Sequence, residues 1–135
     1  MRVIGIDPGE NTGIGICDDG VLVSLVTTNF WGAINIIAEN RDAFFIVEKP
    51  KTKHVWHKGA KARGAIERTA MNVGSVLEKA SLMVDYLQRN GYRYKVSAPF
   101  GKVGVETFRL ITKWEGKSNQ HTRDAGMMAF LNYRG

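Results

Sequence analysis

Asp7 closes the apolar run Val3-Ile4-Gly5-Ile6, and Glu48 closes Phe44-Phe45-Ile46-Val47. Far along the chain, His121 and Asp124 stand three residues apart, ahead of Met127-Met128-Ala129-Phe130-Leu131. A carboxylate beside a core loses hydration and is costly unless it is paired, hydrogen-bonded or metal-bound. Three acids so placed point to a shared, oxygen-rich cation site with His121 as its fourth member. Magnesium suits such a set, because it takes oxygen ligands and keeps several waters. Two ions about 3.5–4 Å apart activate a water and stabilise the leaving oxygen in an in-line phosphodiester displacement. Each residue has a plainer reading taken alone. Asp7-Pro8-Gly9 is equally a turn held by an Asx hydrogen bond, Glu48 a surface partner of Lys49, and Asp124 a complement to a helix dipole. Their combination, with a basic stretch directly after Glu48, favours a site.

The surrounding pattern supplies elements to position these groups. Val3 to Asp7 reads as a buried strand, Asn11 to Gly13 as a turn, and Ile14 to Cys17 as a returning strand. Asp19-Gly20 is a hairpin signal leading into Val21 to Thr28. Trp31, Ile34, Ile37 and Ala38 are spaced for one helical face, and the nearly all-apolar Ala43 to Glu48 reads as a central strand parallel to a neighbour. A long helix runs to about Asn90, with Val73, Val76, Leu77, Ala80, Met83, Val84 and Leu87 on one face. Tyr92 to Ala98 is a fifth strand, Val105, Phe108, Ile111 and Thr112 suggest a short helix, and a last helix spans about Gln120 to Asn132. The order βββαβαβαα predicts a mixed α/β sheet with helices on both faces. A βαβ crossover makes the first and fourth strands parallel neighbours, so Asp7 and Glu48 finish at the same edge of the sheet. His121 and Asp124, at i and i+3, share one helix face.

Bulk properties frame the partners. A chain of 135 residues, 44% hydrophobic and 24% charged, is expected to form one domain over residues 1–135. Its 19 Lys and Arg against 13 Asp and Glu give +6, which favours a polyanionic partner. The single Cys17 leaves no internal disulfide and no cysteine zinc cluster, so a reducing, cytoplasmic setting is expected. No apolar run approaches the roughly 20 residues of a membrane span.

Between Lys49 and Arg68 one acid, Glu67, stands among seven basic residues. Lys51, Lys53, Lys58, Lys61 and Arg63, interleaved with Trp56 and His57, suit an arm that neutralises phosphates and stacks on an unpaired base. His54 and His57 lie there with no cysteine nearby, which argues against zinc.

At these residues the chain resembles the RNase H-like nucleases, and among them the RuvC-type Holliday junction resolvases. The matching stretches are Ile4-Gly5-Ile6-Asp7-Pro8-Gly9 with Thr12-Gly13, Val47-Glu48-Lys49-Pro50, Val96-Ser97-Ala98-Pro99 with Lys102, and His121-Thr122-Arg123-Asp124-Ala125. They occur in the family's order and cover most of the chain. The opening motif also begins sugar-kinase and actin-like ATPases; His-x-x-Asp-Ala is the more specific part. The resemblance implies an RNase H-like fold and Mg2+ or Mn2+ as cofactor, two ions in all. It implies Asp7, Glu48 and Asp124 as metal-binding carboxylates, and His121 where the family carries a second acid or a histidine. It also implies Lys102 near the scissile phosphate and branched DNA as substrate. Two departures stand out: the chain is shorter than the cellular members, and the segment after Glu48 is more basic and lacks the family's usual phenylalanine. Cleavage-sequence preference is therefore not carried over. The compact length is more similar to phage-type relatives, so a phage-encoded protein acting inside a bacterial cell is the expectation.

Paired cutting of a junction calls for a twofold dimer, expected through the helix around residues 70–90. Three other readings compete. One is an RNase H-like nuclease acting on RNA–DNA hybrids or ribosomal RNA precursors, and another is a non-catalytic DNA-binding module. The third is an actin-like nucleotide-binding domain, which needs two lobes where this chain has room for one.

Overall fold

Val3, Ile4 and Ile6 put apolar side chains on both faces of one strand, a pattern suited to a strand covered on both sides. The computed structural model describes residues 1–50, 63–99 and 101–132, with residues 63–74 described in their backbone alone. In it β1 (Arg2–Asp7) is the middle strand of a five-stranded sheet. Next to it lies β2 (Thr12–Asp18), antiparallel, and then the antiparallel edge strand β3 (Val21–Thr28). On its other side β4 (Phe44–Glu48) and then β5 (Arg93–Ser97) run parallel to it, giving the order β3-β2-β1-β4-β5. The architecture is thus α/β, an open mixed sheet whose first three strands are antiparallel.

Alternation along the strands sends two sets of side chains into two cores. Ile4, Ile6, Ile14, Phe45 and Val47 pack under α1 (Phe30–Glu39) and α2 (Arg63–Arg89), which contribute Ala33, Ile37, Ala80, Met83 and Leu87. Val3, Cys17, Leu22 and Ile46 pack on the opposite face under α3 (Val105–Thr112) and α4 (Gln120–Leu131), with Phe108, Ala125, Met127, Met128 and Ala129. A fully buried side chain such as Phe45 or Met128 contributes roughly 1.5–3 kcal/mol, whereas an exposed ion pair such as Arg2–Asp18 adds little. The two cores therefore fix where the helices lie. Among the described residues no helix is long and apolar enough to cross a membrane.

Several boundaries differ from the sequence expectation for physical reasons. The second strand starts at Thr12 rather than Ile14, because Thr12 and Gly13 extend the pairing with Thr28 and Thr27. In α1 the inward residues are Ala33 and Ile37, with Phe30 and Ile34 beside them, while Trp31 is 71% exposed and Ala38 lies outside. Trp31 and Phe30 both fit the apolar spacing, and the position of the sheet decides between them. In α3 only Phe108 and Thr112 are buried, and Val105 and Ile111 face outward. The long helix begins at Arg63, so Arg63, Glu67 and Arg68 belong to α2 and not to a loop.

The contact that matters most for function is between α4 and the sheet. A Cβ on Gly5 would stand 2.1 Å from the Ala125 carbonyl oxygen, one on Gly13 2.3 Å from that of His121, and one on Gly15 2.5 Å from the Gly126 Cα. All three obstacles are backbone, so no side chain can rotate aside. Gly5→Ala and Gly15→Ala should each lower the Tm by at least about 5 °C, the overpacking of a tight core costing roughly 1–3 kcal/mol. Thermal unfolding followed by circular dichroism measures this, and an unchanged Tm would show that α4 does not sit this close.

Candidate functional site

β1 and β4 run parallel in the register Gly5↔Ile46 and Ile6↔Val47, so Asp7 and Glu48 lie side by side one step beyond the last of these pairs. By alternation both leave the sheet on the face of Val3, Gly5 and Ile46, which is the face α4 covers. The start of α4 is held by a reciprocal cap. The Asn119 side chain accepts from the Thr122 N–H at 2.9 Å, and the Thr122 hydroxyl accepts from the Asn119 N–H at 2.9 Å. The Asn119 amide also donates to the Thr27 hydroxyl at the end of β3 (2.9 Å), which ties the first turn to the sheet. With the helix start pinned, His121 lands on β1: its Nδ1 lies 3.2 Å from Asp7 Oδ2.

The electrostatics show how closely the acids gather. Asp7 is only 6% exposed. Burial pushes its carboxyl above the usual range; a hydrogen bond from Glu48 opposes this, the charge of Asp124 adds to it, and the Lys102 ammonium opposes it again. Glu48 is pushed further, up to about 8, first by burial, then by its hydrogen bond to Asp7, then by the charges of Asp7 and Asp124, against the influence of His121. Both shifts favour a protonated Glu48 that donates to Asp7. Asp124 stands near both and has one oxygen engaged, Oδ1 accepting from the Gln120 amide at 2.7 Å. The His121 ring is 52% exposed, so with Nδ1 against Asp7 its Nε2 is the nitrogen available to the outside.

Asp7, Glu48, His121 and Asp124 are thus brought together, with the exposed Lys102 close enough to act on Asp7. Among the described residues no group of three or more His, Cys, Asp and Glu side chains stands close enough together to hold a metal ion. The four groups influence one another's charge without closing around a common point. By chemical type the donors suit a hard cation: they offer carboxylate oxygen, and a bound cation would favour the charged forms of both Asp7 and Glu48. Lys51, Lys53, Trp56, Lys58 and Lys61 lie outside the described residues, as do His54 and His57, and Arg63 is placed only as the first residue of α2.

Sequence reasoning passed over Gln120 and the glycines at 5, 13 and 15. Gln120 sits four residues before Asp124, one helical turn, which was the signal available. No protein-family model matches the chain, and no curated protein matches it to a significant degree. The geometry of the site itself therefore carries the functional reading.

The raised position of Glu48 fixes a pH dependence. Between its ordinary 4.5 and about 8 the folded protein holds a proton that the unfolded chain has released, so stability is full below that window and falls as pH rises through it. Glu48 is partly solvated, which limits the loss to on the order of 1–2 kcal/mol. In the presence of chelator the Tm should fall between pH 5 and pH 8 by roughly 5 °C more in the parent than in Glu48→Gln. Parallel curves for the two proteins would contradict the proton on Glu48.

Proposed function

We propose that this protein is a divalent-cation-dependent endonuclease with an RNase H-like fold that resolves four-way DNA junctions, as the RuvC-type resolvases it resembles do. The observation that carries the reading is the convergence of Asp7, Glu48 and Asp124, with His121 and Lys102, at the carboxyl ends of β1 and β4 beneath α4. Asp7, Glu48 and Asp124 would hold Mg2+ or Mn2+, with His121 as a further donor. When bound, such an ion supplies Lewis acidity and neutralises negative charge developing on a phosphodiester.

The chain's own residues do the rest. The proton between Glu48 and Asp7 must leave before both acids can serve as ligands, so low pH works against the active form. His121, steadied through Nδ1 by Asp7, presents Nε2 to hold the attacking water or take its proton. Lys102, close enough to influence Asp7, would meet the scissile phosphate with its ammonium. The net charge of +6 and the basic stretch after Glu48 supply sequence-independent hold on a polyanion.

Symmetric cutting needs two such sites, and a second copy of this chain is the partner that supplies them. Phe30, Trp31, Ile34, Leu82 and Tyr86 line an apolar groove between α1 and α2, with Trp31 71% and Leu82 52% exposed. Glu78 and Lys79 flank it, so a twofold arrangement would set the acid of each copy against the base of the other.

With Mn2+ or Mg2+ the protein should nick a synthetic four-way junction at paired positions faster than linear duplex or an RNA–DNA hybrid. Asp7→Asn should reduce the rate at least about 100-fold while junction binding in a gel shift persists. Preferential cleavage of the hybrid would redirect the reading to another RNase H-like nuclease, and full cleavage by Asp7→Asn would refute the site. For the partner, Trp31→Glu combined with Leu82→Glu should convert a dimer seen by light scattering into a monomer that no longer pairs its nicks. A parent protein that is monomeric and still nicks in pairs would overturn the dimer.

A further inference from the structure

Asp124 does not stand alone on α4. Its Oδ1 is held by Gln120 Nε2 at 2.7 Å, and Gln120 Oε1 in turn accepts from an Arg123 terminal nitrogen at 3.3 Å. The other nitrogens of that guanidinium are used as well. Nε donates to the Val103 carbonyl at 2.9 Å, and the second terminal nitrogen donates to the Ser118 hydroxyl at 3.1 Å. Arg123 therefore joins the loop carrying Lys102, the segment entering α4, and the side chain that grips Asp124.

The chemistry of this chain of contacts runs in one direction. A guanidinium only donates and a carboxylate only accepts, so the residue between them must accept on one side and donate on the other. A primary amide does both without charge. The Gln120 amide is consequently fixed in orientation, oxygen to Arg123 and nitrogen to Asp124, and cannot flip without losing both bonds. With Oδ1 of Asp124 committed to Gln120, Oδ2 is the oxygen left for a ligand role. The Val103 bond acts in parallel, holding the backbone next to Lys102 at a set distance from the same helix.

We infer that Gln120 and Arg123 are a positioning pair that orients Asp124 for the divalent cation, with Arg123 also tying the backbone next to Lys102 to the same helix. This inference rests on the metal-dependent reading of the site. Neither residue touches the reacting atoms; Gln120 acts on Asp124, and Arg123 acts through Gln120 and Val103. Loss of an outer partner of a metal ligand commonly weakens metal binding by about 10–100-fold.

The test is Mn2+ titration of the whole protein by isothermal calorimetry without DNA, alongside the Tm in chelator. Gln120→Met keeps length and removes both hydrogen bonds; it should weaken Mn2+ binding about tenfold with the chelated Tm unchanged within a few degrees. Arg123→Met should weaken Mn2+ binding similarly, and Arg123→Lys, which keeps a donor, should recover part of it. Because the two act in series on the path to Asp124, whatever Arg123 does through Val103, the double variant should bind Mn2+ no worse than the weaker-binding single variant. Mn2+ affinity within twofold of the parent in folded Gln120→Met, or fully additive losses in the double variant, would overturn the positioning role. Asp7→Asn separates this failure from that of the site. If the parent binds Mn2+ and Asp7→Asn does not, the metal centre stands whatever Gln120 does, whereas a parent that binds no Mn2+ overturns both.

Discussion

A helix laid on a sheet is ordinarily held off it by a layer of side chains from each element. Over Gly5, Gly13 and Gly15 the sheet's layer is missing, and Ala125, Gly126 and Ala129 thin the helix's layer to match. Backbone meets backbone there. This descent of α4 is what the arrangement of the site depends on, because His121 reaches Asp7 only from a helix that lies this low. It also explains why no larger residue can stand at those positions: the obstructing atoms are main-chain carbonyls and a Cα, which have nowhere to go.

The same descent creates an electrostatic problem. It removes water from Asp7 and brings the charge of Asp124 towards a pair of acids already side by side on parallel strands. The fold does not answer with a fixed buried cation among the described residues; Lys102 is exposed and His121 half open. Burial and the neighbouring charges instead favour the protonated form of Glu48. The apolar layers on both faces of the sheet offset the cost of keeping these acids buried.

Legibility in the sequence follows the range of the interactions involved. Strand alternation, the Asp19-Gly20 turn and the crossover to β4 are local or obey a handedness rule, and from them came the strand order's essential feature, β1 beside β4. The pairing of Asp7 with Glu48 was readable for the same reason. What escaped depended on which of two local solutions the sheet selects. Phe30 against Trp31 is one such case, and the start of α2 inside a run of positive charge is another, since charge marks solvent exposure and not the absence of a helix. The glycines escaped for a further reason. A residue without a side chain leaves no periodic trace, and its meaning appears only when the element it admits is seen. The role of Gln120 appears only with Arg123 on its far side.

The separation between Asp7 and His121, 114 residues along the chain, has a consequence in time. The residues of the sheet and of α1 and α2 all precede α4 in the chain and are synthesised before it. Until then Val3, Cys17, Leu22 and Ile46 have no cover on their side, and Asp7 has no helix above it. In the nascent chain that apolar face stays open and His121 stays away from Asp7 until α4 docks, and both conditions end in one event. Whatever chemistry these residues perform is withheld until the fold that restrains it is finished.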